Sequence, residues 1–134
     1  MQAIDSLNAA NFSQGVWTLL YAPQSCNQQC LDMLATLLRV RLATGRHQDE
    51  LNLLLASPQL EVTLGEEYAA LTVVNNNLIH AGLKQAGFSE GLDQTVFLVD
   101  PQGYLMMRYP VGFDPTGIRK DLGRLLKYSK FNDE

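Results

Sequence analysis

Cys26 and Cys30 are the only cysteines in the chain, and their spacing limits the chemistry they can share. At positions i and i+4 of a helix two side chains lie one turn apart on the same face, so the sulfurs could share a metal ion or, with modest local adjustment, approach disulfide distance. The apolar series Leu31, Leu34, Leu37 and Leu38 predicts a helix from about Cys26 to Ala43, ending at Gly45, with Arg39 and Arg41 in its last turns. At the start of such a helix, free N–H groups and the positive dipole end favour the thiolate of Cys26. Val16 to Ala22 reads as a strand and Pro23-Gln24-Ser25 as a short loop, which puts the pair at a strand-to-helix junction.

The other residues able to do chemistry are scattered. His47 lies beyond the far end of the first helix, roughly 25 Å or more from Cys30 at 1.5 Å per residue, and reads as a surface residue. His80 falls in a second helix, on the face we assign opposite Ile79 and Leu83, and is expected in solvent. Met33, Met106 and Met107 carry thioethers that suit Cu(I), but their placement reads as packing. Asp93 reads as a solvated loop carboxylate that would neighbour the cysteines if its loop folds over them. Arg119, Lys120, Arg124, Lys127 and Lys130 give the last helix a basic face, either solvated or a docking surface for an acidic partner. The sequence has no phosphate-binding glycine motif, no HExxH, no Gly-x-Ser-x-Gly and no four-ligand zinc pattern.

Length and composition bound the frame that must position these groups. With 134 residues, 46% of them hydrophobic, residues 1–134 read as a single domain with a sizeable core. A net charge of −4 argues against nucleic acid as a partner. Met1 to Asn11 carries Asp5 and no long apolar run, so it reads as neither a secretory signal nor a membrane span. That fits a cytosolic protein, or equally a soluble fragment of a parent whose anchor has been removed. Two cysteines at this spacing suggest a redox or metal pair more than a structural staple.

Beyond the first helix, Glu50 to Ala56 predicts a buried parallel strand, completing a right-handed βαβ unit. That places the cysteines at the carboxyl edge of the sheet, where open α/β sheets build their sites. Pro58 to Glu67 has no firm period. Tyr68 to Val74 reads as extended, ended by Asn75-Asn76-Asn77, and Asn77 to Ala86 as a helix stopped by Gly87. Thr95 to Val99, the turn Asp100-Pro101-Gln102-Gly103 and Tyr104 to Tyr109 predict a β-hairpin. Asp114 then caps a last helix with Pro115 at its first position and Ile118, Leu122, Leu125 and Leu126 as its apolar stripe. Strand, helix, strand, variable segment, helix, hairpin, helix is the order of an α/β thioredoxin-like fold: a central mixed sheet flanked by helices, with a C-terminal hairpin plus helix.

Trp17-Thr18-Leu19-Leu20-Tyr21 followed by Cys26 and Cys30 resembles the tryptophan-led strand and CxxxC site of the Sco/SenC copper-handling proteins, which assist cytochrome c oxidase assembly. Phe97 to Gly103 is similar to that family's strand and Asp-Pro-x-Gly turn. The resemblance implies an accessory factor for respiratory oxidase assembly acting through a thiol redox or copper-handling site. Cys26 would be the more exposed, attacking thiol or first copper ligand, and Cys30 the resolving thiol or second ligand. It also implies copper as the cofactor, an oxidase subunit or another assembly factor as partner, and a full-length parent that is membrane-anchored or periplasmic. The chain departs from the family at Asn27 and Leu31, where prolines are usual, and at Gly91-Leu92-Asp93-Gln94, where the third copper ligand, a histidine, would stand. Gln94 also takes roughly the place of the cis-proline of thiol oxidoreductases. The rival reading is a non-catalytic interaction module that kept the fold and lost the copper site. A weaker third is a peroxidase-like enzyme, which needs an arginine beside its nucleophile.

Overall fold

The computed structural model describes residues 2–3, 16–45, 50–57, 59–60, 66–68, 71–74, 78–85, 87–88, 95–102, 104–109 and 115–129. Within them the elements follow as β1 (Gln2–Ala3), β2 (Trp17–Tyr21), β3 (Ser25–Cys26), α1 (Gln28–Ala43), β4 (Leu51–Ala56), β5 (Gln59–Leu60), a 3₁₀ turn (Glu66–Tyr68), β6 (Leu71–Val74), α2 (Leu78–Gln85), β7 (Val96–Val99), β8 (Tyr104–Tyr109) and α3 (Pro115–Ser129).

Continuous apolar runs form the centre of the sheet because both of its faces are covered. The main sheet runs β1-β8-β7-β2-β4-β6, with β2, β4 and β6 parallel and β7 and β8 antiparallel to their neighbours. Along β2, Trp17, Leu19 and Tyr21 point to one face, where they meet Leu34, Leu37 and Val40 of α1 and Ile118, Leu122 and Leu126 of α3. Leu20 points to the other face, with Leu54, Phe97 and the α2 residues Ile79 and Leu83. A strand buried on both sides has no polar alternation to display, which is why β2 and β4 read as nearly continuous apolar segments, interrupted by Thr18 and Asn52. This is a thioredoxin-like α/β architecture, as the element order predicts.

Local chemistry sets the boundaries. Asp100 shapes the hairpin turn: its Oδ1 accepts from the amides of Gln102 at 2.9 Å and Tyr104 at 2.8 Å. A bulge between Leu98 and Val99 then shifts the pairing, so that Leu98 faces Met107 and Val99 faces Leu105. At the end of α2, the amides of Gly87 and Phe88 donate to the carbonyls of Lys84 and Leu83. This is a Schellman closure, and it needs the left-handed backbone of Gly87, whose φ is 95°.

Four expectations change. The first helix, expected from about Cys26, begins two residues later at Gln28, because Asn27 caps it. Ser25–Cys26, expected as loop and helix start, forms a parallel ribbon with Gln59–Leu60, out of a stretch with no readable period. The extended piece expected from Tyr68 starts at Leu71, since Glu66–Tyr68 is a 3₁₀ turn. His80 is half-buried instead of solvent-facing, because its ring reaches the end of β4. The expected cap Asp114, the Asn75–Asn77 stop and the Gly91–Gln94 loop lie outside the described residues.

Candidate functional site

Asn27 organises the start of α1. Its backbone leaves the helix at φ −119° and ψ −160°, and its side-chain Oδ1 accepts from the amides of Gln29 at 3.1 Å and Cys30 at 3.4 Å. The Leu31 amide donates to the Asn27 carbonyl at 3.0 Å, closing the first helical turn. Two of the amides that a helix start leaves without partners are therefore taken by the cap. Cys26 stands one residue outside the cap, and the asparagine oxygen takes two of the helix-start amides that would otherwise face it.

Cys26 and Cys30 are joined as a disulfide, with a Cα–Cα separation of 4.9 Å. Both cysteines are buried, Cys26 with 0% of its surface exposed and Cys30 with 1%. They sit in the same apolar cluster as Trp17, Tyr21 and Leu34, with Met33 packed against it. The expectation that Cys26 is the more exposed sulfur does not hold for this oxidised form. Burial follows from position: Cys30 lies one turn before Leu34 on the core face of α1, while the β3–β5 ribbon holds Cys26.

Among the described residues, no three His, Cys, Asp or Glu side chains stand close enough to hold a metal ion. Joined as a disulfide, the cysteines present no thiolate; reduced, they supply two soft sulfur donors of the kind that select Cu(I). The donor set thus fits copper in the reduced state only. Asp93 and His47 lie outside the described residues. Arg119, Lys120 and Arg124 are exposed along α3, as expected of its basic face. Met106 and Met107 lie on β8 with more than a third of their surfaces open, away from a filler role.

The sequence reading missed three polar contacts. His80 Nε2 lies 2.9 Å from the Ala56 carbonyl and donates to it, tying α2 to the carboxyl end of β4, while its buried Nδ1 has no hydrogen-bond partner among the described residues. Its i, i+3 relation to the core residue Leu83 was the available signal. Arg41 Nε donates to the Leu51 carbonyl at 3.0 Å, joining the end of α1 to the start of β4. The Tyr109 hydroxyl donates to Asp121 Oδ2 at 2.8 Å, linking β8 to α3. Burial first, then the bond to Asp121 and its charge, push the Tyr109 phenol far above the usual tyrosine range. For Asn27, a cap-forming residue directly before a helical pattern was the signal.

Comparison with known proteins places this geometry among relatives. A family model described as transmembrane-like, thioredoxin-like, C-terminal domain matches residues 17–129. No curated protein matches the chain in sequence. Among solved structures, yeast Sco1 with copper bound superposes with a TM-score of 0.61 at 15% identity, covering 88% of this chain and 82% of that one. A SCO1/SenC family lipoprotein from Bacillus anthracis gives a TM-score of 0.57 at 13% identity, covering 84% and 83%. The thioredoxin domain of a thiol-disulfide oxidoreductase from Bacteroides vulgatus gives 0.51 at 14% identity, covering 91% and 82%. At these identities the likeness is one of fold.

Proposed function

The chain belongs to the transmembrane-like, thioredoxin-like C-terminal domain family, and from that premise we propose that it is a thiol redox or copper-handling accessory factor in respiratory oxidase assembly. The observation that carries the reading is the Cys26–Cys30 disulfide at the carboxyl edge of a thioredoxin-like sheet, joining Cys26 just ahead of α1 to Cys30 in its first turn. Sco1 with copper bound and a Sco/SenC lipoprotein among the structural neighbours support it. In this reading the disulfide is the resting form and the dithiol the working one. An external thiol attacks one sulfur of the bridge and releases the other cysteine as a thiol; a second external thiol then attacks the mixed disulfide, leaving the protein dithiol and an external disulfide. Reduced to thiolates, Cys26 and Cys30 would hold Cu(I) as two soft donors kept together in an apolar setting.

The parent protein in this reading is tethered to a membrane and works in an oxidising compartment such as the periplasm, where disulfides persist. No helix among the described residues is long and apolar enough to cross a membrane, so the tether would lie elsewhere. An oxidase subunit or another assembly factor is the proposed partner.

Burial of both cysteines favours a second reading, a non-catalytic interaction module in which the disulfide only staples the helix start. Alkylation and mass spectrometry of the folded protein with graded dithiothreitol separate the two. The redox reading expects the pair to open and reclose without unfolding, and the dithiol to bind Cu(I) against a competing chelator, with binding lost in Cys26→Ser plus Cys30→Ser. A bridge that opens only when the fold melts would favour the module.

A further inference from the structure

We propose that Asn27 is a positioning residue for the disulfide: by capping α1 it holds Cys30 within reach of Cys26 and shifts the thiol–disulfide equilibrium toward the bridged form. The proposal rests on the redox reading above.

Continued through Cys26, α1 would separate the two α-carbons by about 6 Å along its axis, with both Cβ bonds tilted the same way toward the N-terminus. Side chains so aligned lie one above the other and do not converge. In the structure the separation is 4.9 Å, because the helix stops one residue after Asn27 begins to turn the chain and Cys26 is in the β3–β5 ribbon, opposite Leu60. Cys26 therefore approaches Cys30 from outside the helix.

The side chain of Asn27 is what stops it there. One of the two amides it holds belongs to Cys30 itself. The cap and the S–S bond thus both anchor Cys30, one through its amide and one through its sulfur. Each fixes a geometry the other needs, so their free energies are coupled and the coupling is reciprocal: closing the disulfide strengthens the cap, and the cap favours closure. Without the asparagine oxygen, the reduced chain can fray at α1 or extend the helix through Cys26, and either change parts the sulfurs.

The test is redox equilibrium of the whole chain with dithiothreitol. A reductant thiolate attacks one cysteine sulfur and the protein S–S bond breaks. The departing cysteine sulfur takes a proton, and the second reductant sulfur then displaces the other cysteine. Two electrons pass to the protein, and the reductant ends as its cyclic disulfide. The fraction of bridged protein is read by alkylation and mass spectrometry at fixed ratios of reduced to oxidised reductant. A cap of this kind is worth about a factor of five in a folding equilibrium, and glycine at the cap position costs much less stability than alanine. Asn27→Ala should move the equilibrium up to about fivefold toward the dithiol and Asn27→Gly about twofold in the same direction, while Asn27→Ser, which keeps an acceptor oxygen, matches the parent. The glycine variant gives the answer should the alanine variant fold poorly. If Asn27→Ala lowers the melting temperatures of the oxidised and reduced forms equally, and neither it nor Asn27→Gly moves the equilibrium, Asn27 is a helix cap and nothing more. A parent bridge that never equilibrates with the reductant overturns the redox reading and this proposal with it; a parent that equilibrates while the variants match it overturns the proposal alone.

Discussion

On the sheet face covered by α1 and α3, the polar groups beside the carboxyl edge are closed on one another: Cys26 to Cys30 through sulfur, and the amides of Gln29 and Cys30 to Asn27 Oδ1. The face covered by α2 is different. There His80 gives one ring nitrogen to the Ala56 carbonyl, while its Nδ1 and the hydroxyl of Thr18 are buried with no hydrogen-bond partner among the described residues. Thr18 precedes Leu20 by two positions on β2, so it points to that same side. A buried polar atom without a partner costs free energy, whereas one that is bonded is close to neutral. The first face therefore carries its polar groups at little cost, and the second carries unmet hydrogen-bonding capacity.

The largest test of this comparison removes one fully buried leucine from each face. Leu34→Ala and Leu83→Ala should each lower unfolding free energy by about 3 kcal/mol, read from urea denaturation. Leu34→Ala alone should also speed reduction of the disulfide in the folded protein, since Leu34 shares a cluster with Cys26 and Cys30. Equal reduction rates in the two variants would break the distinction between the faces.

Removing the bridge with Cys26→Ala plus Cys30→Ala should cost about 2 kcal/mol, the loop-closure value for so short a ring. Hydrogen exchange in α2 should be unchanged except for the global loss. His80→Ala takes the donor from the Ala56 carbonyl and should cost about 1.5 kcal/mol, with faster exchange confined to the α2 face. Thr18→Val sharpens the comparison from the opposite direction: exchanging an unpartnered buried hydroxyl for a methyl of similar shape should raise stability by about 1 kcal/mol. A destabilised Thr18→Val would mean that the hydroxyl is satisfied.

The smallest effect at neutral pH belongs to Tyr109→Phe, about 0.5 kcal/mol for a half-buried hydrogen bond. Its pH dependence is more telling. The phenol is held above its usual range in the folded state, so its contribution is fully present below the unfolded tyrosine value of about 10 and is lost as pH rises from there toward the folded value. Stability of the parent should fall through that window, and Tyr109→Phe should fall less steeply.

Different kinds of sequence signal reached different depths. The hairpin was legible because Asp100, Pro101 and Gly103 form a local turn signature whose hydrogen bonds close within five residues. The apolar stripe of α3 was legible because Ile118, Leu122 and Leu126 recur at helical spacing and are buried together. The start of α1 was misplaced by two residues because an apolar stripe marks the face of a helix but not its first turn, which a single side chain at Asn27 decides. The β3–β5 ribbon was invisible: two-residue strands carry no period, and their partner is brought in by the fold.

By itself the sequence determined the order of the longer strands and helices, the thioredoxin-like sheet and the location of its cysteine pair, since each depends on periodicity, turn residues or spacing along the chain. Only the tertiary structure decided that the pair is buried, that Cys26 is in a ribbon outside the helix, and that His80 turns inward to Ala56. The reason is physical. Burial and long-range hydrogen bonds depend on which surfaces meet, and Cys26 meets Leu60 while His80 meets Ala56 across separations that no local pattern encodes.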